Sequence, residues 1–317
     1  MKKKENHILV TGGFGYIGYE LCKLLKKKKE SFYILDNLSN STKKNEFVNI
    51  FIKSDINDLA QIEKIIKKKN INTVIHLAAK IYANESWLKK EIYYKNNYEY
   101  SKKLYDLCYK LKVKNFIFSS TAAVYGDKKI KFRENDMKIP INPYGYSKNE
   151  FEKYIIKKKY KINYAIIRFF NVVGRYKKKP YMTNLSALEK MKISFLKKKP
   201  SYTIFGNNHS TADGSPARDF IHIIDLINLI YKSLTLIRKK NRSVIFNCGY
   251  GKSFTILKII DEFQKLFQKD IQIKFTKKIT GDPSEVIADV SRLKRLFRYK
   301  PKFDSAKKLV SDIYKNA

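Results

Sequence analysis

The sequence predicts an α/β fold, with a doubly wound parallel sheet followed by a smaller α/β domain. Short apolar runs alternate with helical patterns over about the first 170 residues, as expected for a series of βαβ units. Most of these runs are almost continuously apolar, which is typical of parallel strands that are covered on both faces. A glycine-rich turn follows the first run and opens the first helical segment.

The individual elements follow from this alternation. Strands are predicted at residues 7–11, 32–35, 48–52, 73–76, 115–118 and 163–168. Helices are predicted at residues 16–28, 59–69, about 92–111 and 146–159. Beyond residue 170 the pattern loosens, with a helix at 184–196, a strand at 201–204 and elements at 271–275 and 306–314. The segments 220–238 and 244–247 are expected to return to the sheet, so the two predicted domains are interleaved.

The predicted domains are residues 1–180, with return segments at about 220–250, and residues 181–317. Hydrophobic residues make up 44 % of the chain, which is enough for a sizeable core. The formal net charge of +38 would favour contact with nucleic acid or anionic surfaces. The lysines, however, occur in short runs spread along the chain, such as 26–29, 67–69 and 177–179. This distribution favours a solvated surface, so nucleic acid is not expected as a partner.

The three cysteines, Cys22, Cys108 and Cys248, are far apart and form no CxxC pair. Their spacing predicts neither a disulfide framework nor a metal site, as is typical of a reducing compartment. The first residues are polar and basic and lack the apolar core of a signal peptide. No stretch of about 18 apolar residues is present. A cytoplasmic location away from the membrane is therefore expected.

The glycine-rich turn has the spacing G-x-x-G-x-x-G, from Gly12 through Gly15 to Gly18. Glycine lets the backbone approach a pyrophosphate, and the following helix N-terminus supplies free N–H groups and a positive dipole end. Asp36 ends the second strand, where a carboxylate accepts hydrogen bonds from ribose hydroxyls and repels a 2′-phosphate. The two features together predict a Rossmann domain that binds NAD rather than NADP.

A second set of residues suggests acid–base chemistry. Tyr144 and Lys148 are four residues apart, so they share one face of a helix. An ammonium group beside a phenol is expected to lower the pKa of the phenol toward neutrality. The strand at 115–118 leads into Ser119-Ser120-Thr121, which would deliver a hydroxyl group to the same edge of the sheet.

These residues resemble the active site of the extended short-chain dehydrogenase/reductase family, and within it the nucleotide-sugar 4-epimerases. The matching segments are T-G-G-F-G-Y-I-G from residue 11, L-D-N-L-S-N-S from 35, S-S-T-A-A-V-Y-G from 119, N-P-Y-G-Y-S-K from 142, R-F-F-N-V-V-G from 168 and I-F-G-N-N-H-S-T-A-D-G-S-P-A-R-D-F-I-H-I-I-D-L from 204. They occur in the family's order and span nearly the whole chain.

The resemblance implies reversible epimerisation at C4 of UDP-glucose and UDP-galactose through a 4-keto sugar, with NAD tightly bound. Tyr144 would take the C4 hydroxyl proton, Lys148 would hold the nicotinamide ribose, and Thr121 would bond near O4. Residues implied to bind NAD are Gly12, Gly15, Tyr16, Ile17, Gly18, Asp36, Asn37, Asn40, Ser41, Asp55, Ile56, Leu77, Ala78, Ala79, Lys80, Ile81, Asn96, Tyr144, Lys148 and Phe170. Residues implied to bind the UDP-sugar in the smaller domain and beside the catalytic set are Thr121, Tyr144, Asn171, Asn184, Leu185, Phe205, Arg218, Asp282 and Val286.

The chain departs from the family pattern at three positions. Ile81 stands where the family has a lysine for the cofactor pyrophosphate, and Lys80 lies one residue earlier. An arginine expected shortly before Gly281 is absent, which leaves Lys278 as the candidate replacement. Val286 stands where the family often has a tyrosine beside the sugar. The smaller side chain predicts that UDP-GlcNAc and UDP-GalNAc are also accepted, with UDP-glucose and UDP-galactose alone as the alternative.

Two other classes of function, one enzymatic and one not, remain open from the sequence. A nucleotide-sugar 4,6-dehydratase or a UDP-xylose-forming decarboxylase is expected to carry acids after the active-site hydroxyl, where this chain has Ala122 and Ala123. A polyanion-binding protein that merely retains the fold would account for the charge, but not for Thr121, Tyr144 and Lys148 in mutual register. The resemblance also implies a homodimer through the helices at 92–111 and 146–159.

Overall fold

The protein is described from a computed structural model covering residues 7–40, 45–127, 130–174, 186–279, 281 and 283–315. Four residues of the predicted site, Ser41, Asn184, Leu185 and Asp282, lie outside the described residues. The first half of the described chain alternates strands and helices, as its sequence predicts.

The strands are β1 (His7–Thr11), β2 (Phe32–Asp36), β3 (Phe51–Lys53), β4 (Ile71–His76), β5 (Asn115–Thr121), β6 (Lys131–Phe132), β7 (Asn163–Phe169), β8 (Asn171–Val173), β9 (Ser201–Phe205), β10 (Ala217–Arg218), β11 (Phe220–His222), β12 (Val244–Cys248), β13 (Phe254–Thr255), β14 (Gln272–Thr276) and β15 (Glu285–Ala288). The α-helices are α1 (Tyr16–Lys27), α2 (Leu59–Lys68), α3 (Ala83–Leu88), α4 (Lys90–Tyr94), α5 (Ser101–Lys110), α6 (Pro143–Lys158), α7 (Ala187–Phe195), α8 (Ile223–Lys240), α9 (Ile256–Phe267), α10 (Ser291–Phe297) and α11 (Ala306–Lys315). A π-helical segment (Lys95–Tyr100) joins α4 to α5.

Within the described residues the main sheet has seven strands in the order β12-β7-β5-β4-β1-β2-β3. Every neighbouring pair in it is parallel. The two faces of β1 show why its sequence is continuously apolar. Ile8 and Val10 belong to one hydrophobic core, whereas Leu9 belongs to the core on the other face. The predicted doubly wound parallel sheet is therefore confirmed.

The remaining strands form smaller sheets. β10 pairs with β13 and β15, β15 pairs with β6, β8 pairs with β11, and β9 pairs with β14. In the β10–β15 pair, Arg218 lies opposite Val286. The segment 244–247 forms part of β12 at the edge of the main sheet. The division of the chain into two domains stays a prediction.

Two predicted elements differ from the structure in ways that have a physical cause. The strand expected at 48–52 is a 3₁₀ helix (Asn45–Ile50) followed by the short strand β3. The turn buries Phe47, whose ring lies edge-on to those of Tyr19 and Phe32. The helix expected at 146–159 begins earlier, at Pro143, because the Asn142 side chain caps it by accepting from Gly145 N.

Three further features of the described residues concern membrane-spanning helices, metal-binding clusters and the state of the cysteines. No helix among the described residues has both the length and the apolar character needed to cross a bilayer. The described part of the chain contains no cluster of histidine, cysteine and acidic residues that could hold a metal ion. Cys22, Cys108 and Cys248 are buried free thiols.

Candidate active site

A cleft of about 830 Å³ lies at the carboxyl edge of the main sheet. It runs from the β1–α1 turn past the ends of β2, β4 and β5 to the strands β8, β10 and β15. The chain order reverses between β1 and β4. A doubly wound sheet places its ligand at this switch point, because the connections on either side leave in opposite directions there.

Most of the predicted site residues line this cleft. On the cofactor side these are Gly12, Gly15, Tyr16, Ile17, Gly18, Asp36, Asn37, Asn40, Asp55, Ile56, Leu77, Ala78, Ala79, Lys80, Ile81, Asn96, Tyr144, Lys148 and Phe170. On the other side they are Thr121, Asn171, Arg218 and Val286. Phe205 is not among the lining residues; it ends β9 with 46 % of its surface exposed.

The glycine loop is shaped by two close approaches of the backbone. Gly12 has a positive φ of 70°, and a Cβ placed on it would lie 2.7 Å from Ala78 N. A Cβ on Gly18 would lie 2.1 Å from the Gly12 carbonyl oxygen. No side chain caps α1, and its first turn contains no acidic residue. The loop therefore presents free N–H groups and a positive helix end to the cleft, as a pyrophosphate requires.

Asp36 fastens the loop to the end of β2. Its carboxylate is almost fully buried and accepts hydrogen bonds from Phe14 N at 3.0 Å and Leu38 N at 2.8 Å. An ionised carboxylate can accept about four hydrogen bonds. Asp36 also lines the cleft, in the place predicted for contact with ribose hydroxyls.

His76, at the end of β4, joins this strand to β1 and to α5, and so forms the wall of the cleft between β1 and β4. Its ring bonds Thr11 Oγ1 at 2.7 Å and Ser101 Oγ at 2.9 Å. Burial, and to a lesser extent the charge of Lys148, lowers the pKa of His76 to about 3, so the ring is neutral. Thr11 Oγ1 in turn accepts from Ala78 N. The small residues Ala78 and Ala79 are thus held close to the glycine loop, where a flat dinucleotide fits.

The predicted catalytic pair lies in the first two turns of α6. Because this helix begins at Pro143, Tyr144 and Lys148 project from one helix face, and both line the cleft. The backbone N–H of Tyr144 donates to Ser86 Oγ at 3.2 Å, which ties α6 to α3. Lys148 Nζ is buried and donates to the Ser119 carbonyl at 2.8 Å. The predicted triad is therefore assembled at the end of β5.

The titration behaviour of Tyr144 corrects one expectation. The sequence predicts that Lys148 lowers the pKa of the phenol. Instead, burial raises the pKa of Tyr144 to about 12, against the opposing effect of a hydrogen bond with Thr121. Burial also lowers the pKa of Lys148 to about 7. The prediction was wrong for the protein alone, because the ammonium bonds to Ser119 and both groups are removed from water.

The far side of the cleft is built from strands that are distant in sequence. Asp219, next to Arg218, accepts backbone hydrogen bonds from Tyr250, Gly251 and Ala288. The Asp219 N–H donates to the Val286 carbonyl, and its own carbonyl accepts from Asn171 N. Asp219 therefore holds the three predicted substrate residues on adjacent strands. Arg218 also donates to the Ala217 carbonyl at 2.8 Å, which orients its guanidinium.

The structure places the two candidate replacement lysines differently. Lys80 and the half-exposed Ile81 both line the cleft, and Asn97 in the π-helical segment holds the main chain of Lys80 by two hydrogen bonds. Lys278 donates to Ser284 Oγ at 3.2 Å, and the Ser284 carbonyl accepts from Arg218. Lys278 thus lies beside the arginine without lining the cleft itself.

The sequence interpretation missed one wall, formed by α3 and its neighbours. Glu85 and Trp87 line the cleft, and Trp87 is the chain's single tryptophan, with 40 % of its surface exposed. Tyr93 donates to Glu85, and its ring lies edge-on to that of Tyr144. The available sequence signal was the lone tryptophan, eleven residues after the predicted strand at 73–76. It was ambiguous, because helical aromatic residues usually serve the core.

The fold, the glycine loop and the tyrosine–lysine pair define a class of nucleotide-dependent oxidoreductase-like enzymes. A model of the NAD dependent epimerase/dehydratase family matches residues 8–249. The chain belongs to this family. NAD is accordingly its cofactor, and the glycine loop, Asp36 and the wall at Ala78 fit that cofactor.

The chain is similar over its whole length to UDP-glucose 4-epimerases. The enzyme of that name from Halalkalibacterium halodurans is 32 % identical over 310 residues, which cover 96 % of this chain and 93 % of that one. A UDP-glucose 4-epimerase structure from Stenotrophomonas maltophila, with bound NAD and formylated UDP-arabinopyranose, matches with a TM-score of 0.88, 25 % identity and coverage of 98 % and 97 %. The UDP-Glc/GlcNAc 4-epimerase structure from Campylobacter jejuni matches with a TM-score of 0.82, 29 % identity and coverage of 98 % and 99 %.

Proposed function

We propose that this protein interconverts UDP-glucose and UDP-galactose by epimerisation at C4, with NAD as a resident cofactor. The observation that carries the proposal is the position of Thr121, Tyr144 and Lys148 in one cleft with the glycine loop and Arg218. The whole-length similarity to UDP-glucose 4-epimerases supports the same reaction.

The roles of the three residues follow from their chemistry. Tyr144 holds and returns the proton of the C4 hydroxyl at its phenol oxygen, and Thr121 shares that hydrogen bond. Lys148 has three N–H donors, of which one is used by the Ser119 carbonyl. The remaining donors are available to a ribose hydroxyl in the cleft. The ammonium charge would also favour the phenolate of Tyr144.

The bound nucleotide complements these groups. When bound, NAD supplies reversible hydride chemistry and a positive ring, and the chain supplies only proton transfer and positioning. Tyr144 is protonated near neutral pH in the protein alone, since burial raises its pKa to about 12. The phenol therefore becomes an effective base only when further positive charge is present, which restricts the chemistry to the loaded enzyme.

Elimination reactions are disfavoured by the residues after Thr121. Ala122 and Ala123 both line the cleft and carry no proton-transferring group. The carboxylate of Glu85 also lines it, but hydrogen bonds from Lys89 and Tyr93 hold its pKa below the usual range. It is therefore poorly suited to act as the acid that expels a hydroxyl group.

The direct test is to incubate the purified protein with UDP-galactose and no added nucleotide. UDP-glucose is expected, together with NAD released on acid denaturation. A stable 4-keto-6-deoxy product would contradict the proposal and favour a dehydratase. Because Trp87 is the single tryptophan and lines the cleft, its fluorescence should respond to UDP, which tests substrate binding independently of turnover.

We further propose that N-acetylated UDP-sugars are substrates. Val286 is nearly buried and lines the cleft opposite Arg218, where a tyrosine would occupy much more volume. UDP-GlcNAc should be converted to UDP-GalNAc, whereas Val286→Tyr should lower this activity by roughly 10- to 200-fold and retain activity on UDP-galactose. Chromatography of both products checks this. Failure of the unaltered protein to form UDP-GalNAc would limit the range to the two hexoses.

A homodimer is proposed through α4, α5 and α6. Ile92, Tyr109, Tyr146 and Ile156 on these helices are exposed apolar residues. The rings of Tyr94 and Tyr146 stack, so α4 and α6 are neighbours and form one surface. Light scattering should give twice the mass of the chain, and Ile156→Asp should shift it toward the monomer. A monomeric unaltered protein would exclude this assembly.

A cytoplasmic location is also proposed. It is supported by three buried cysteines that remain unpaired, as is typical of a reducing compartment. Fractionation of the source cells with an antibody would test it, and recovery in an oxidising compartment would contradict it.

A further inference from the structure

A second buried charge cluster lies directly behind the catalytic residues. Glu152 on α6 and Arg168 on β7 are both almost completely inaccessible to solvent. Arg168 Nη2 donates to Glu152 Oε2 at 2.6 Å, and Arg168 Nε donates to Oε1 at 3.0 Å. The hydroxyl of Ser120 also donates to Glu152 Oε1. Both carboxylate oxygens are therefore held in fixed positions.

This cluster is linked to the active site in two ways, along the helix α6 and along the strand β5. Glu152 is four residues beyond Lys148, so phenol, ammonium and carboxylate follow one another along the same face of α6 at Tyr144, Lys148 and Glu152. Ser120 lies between Ser119, whose carbonyl accepts from Lys148 Nζ, and Thr121, which bonds to Tyr144. The Glu152 carboxylate thus binds Ser120 on β5, the strand that also carries Ser119, the partner of Lys148, and Thr121, the partner of Tyr144.

Few other groups can compensate the charge of Lys148. Its ammonium lies 4.7 Å from the centre of the Phe118 ring, which offers a weak attraction. His76 on β4 is neutral, and Arg168 on β7 is itself cationic. Tyr144 is a neutral phenol in the protein alone. Among these groups, which face Lys148 from α6, β4, β5 and β7, Glu152 is the one anion.

We propose that Glu152 is a positioning residue for the reaction, with a carboxylate that keeps Lys148 in its ammonium form and fixes the end of β5 beneath Thr121. Arg168 and Ser120 hold this carboxylate in place. The inference rests on the proposed function, since it assumes that a charged Lys148 serves Tyr144 and the cofactor. It assigns a role in the reaction to a residue that does not line the cleft.

The physical basis is the balance between burial and charge at Lys148. Burial lowers the pKa of Lys148 to about 7, and the charge of Glu152 acts against that fall. Without the carboxylate, the ammonium would lose its proton at still lower pH. Replacing a buried ion pair by apolar residues of similar volume is often neutral or stabilising, so such a pair is weak evidence for a role in stability. Its location is therefore better explained by an electrostatic effect on Lys148.

Arg168 also bonds to groups other than Glu152. Because these bonds fix the guanidinium, they also fix the Glu152 carboxylate that it binds. Arg168 Nη1 donates to Tyr125 OH at 2.6 Å and to the Glu134 carbonyl at 2.9 Å. Tyr125 OH donates to Asn247 Oδ1 at 2.6 Å. The guanidinium is thus held by the segment after β5 and, through Tyr125, by β12. Replacing both charges should release Lys148 from Glu152. Arg168→Met also removes the bonds that Arg168 Nη1 donates to Tyr125 OH and the Glu134 carbonyl, whereas the bond from Tyr125 to Asn247 does not depend on Arg168.

The test uses the full chain with its nucleotide bound and lysine labelled with ¹³C at Cε. The Lys148 signal is identified by its absence from Lys148→Arg. Glu152→Gln alone leaves Arg168 buried without a partner and is expected to fold poorly. The informative variant is Glu152→Gln/Arg168→Met, which removes both charges and retains an acceptor for Ser120. Its Lys148 midpoint should fall, because Glu152 raises the pKa of Lys148 whereas Arg168, which is removed with it, is not among the groups that shift that pKa. The alkaline limb of kcat/KM should move down with the midpoint.

The matched control is Glu30→Gln/Arg238→Met, which removes a 2.9 Å pair that does not line the cleft. It should leave the Lys148 midpoint and the pH profile unchanged. A folded Glu152→Gln/Arg168→Met variant with the unaltered midpoint would overturn the proposal. Absence of epimerase activity in the unaltered protein would instead overturn the proposed function, because the lysine titration is read without turnover.

Discussion

The cofactor half and the substrate half of the cleft are built in different ways. The cofactor half consists of contiguous turns at the ends of β1, β2 and β4, and every described residue predicted for it lines the cleft. The substrate half comes from short strands, such as β8, β10 and β15, that are far apart in sequence. There, Phe205 is predicted for the site but is not among the residues that line the cleft.

The difference reflects how each half acquires its geometry. A glycine turn between a strand and a helix has its shape determined locally, because backbone conformation and helix direction are set within about ten residues. The substrate half depends on Asp219, which gathers N–H groups from Tyr250, Gly251 and Ala288. Such long-range bonds exist only after the chain has folded, so local sequence patterns predict them poorly.

The largest expected effect is that of replacing Tyr144, which lies between the cofactor half and the substrate half of the cleft. Tyr144→Phe removes the proton-transferring phenol, so kcat for UDP-galactose should fall by roughly 10²- to 10⁴-fold. Bound NAD, measured after denaturation, should remain because the cofactor half is untouched. Tyr146→Phe is the matched control, since Tyr146 is exposed on the same helix and does not line the cleft. Full activity in Tyr144→Phe would contradict the mechanism.

The next effect tests the local construction of the cofactor half. Gly18→Ala would place a Cβ 2.1 Å from the Gly12 carbonyl oxygen, whereas Gly15→Ala would place it at 3.2 Å from the same atom. Overpacking of this kind costs about 1–3 kcal/mol, or roughly 5- to 150-fold in NAD affinity. Calorimetric titration should show a much larger loss for Gly18→Ala. Equal affinities would indicate that the loop adapts more easily than its contacts suggest.

A pH-dependent prediction addresses the wall of the cofactor half. The pKa of His76 is lowered to about 3 in the folded protein, mainly by burial, against 6.5 when unfolded. The unfolded chain therefore binds a proton that the folded chain excludes, and stability is lost as pH falls below 6.5. At pH 5 this amounts to about 2 kcal/mol.

Urea unfolding at pH 7 and pH 5 measures this loss. His76→Gln should be less stable at pH 7, because the bonds to Thr11 and Ser101 are disturbed, but it should lack this part of the pH dependence. If the pH dependence of the variant matched that of the unaltered protein, another group would be responsible.

The smallest expected effect tests whether Phe205 belongs to the substrate half of the cleft. Phe205→Ala alters a half-exposed residue outside the cleft, so KM for UDP-galactose should change by less than about twofold. Arg218→Met is the comparison, since Arg218 lines the cleft and its guanidinium suits a diphosphate. A large effect of Phe205→Ala would return this residue to the site that the family resemblance implies.

The prediction from sequence was most complete where residues act through local geometry. The parallel strands, the glycine loop and the spacing of Tyr144 and Lys148 follow from patterns within one or two elements. The strand expected at 48–52 failed because Phe47 buries itself against α1 and β2, which its neighbours in sequence do not reveal. Trp87 and Glu85 were missed for the same reason, since only packing of α3 against α6 places them at the cleft.

The sequence by itself therefore determined which chemical groups are present, and the tertiary structure determined their electrostatic environment. Sequence spacing alone placed an ammonium beside a phenol, but it predicted the wrong direction for the pKa of Tyr144. The folded chain removes both groups from water, assigns Lys148 to the Ser119 carbonyl and places Glu152 with Arg168 behind them. Burial and long-range pairing depend on the arrangement of the whole sheet, which no short segment of sequence encodes.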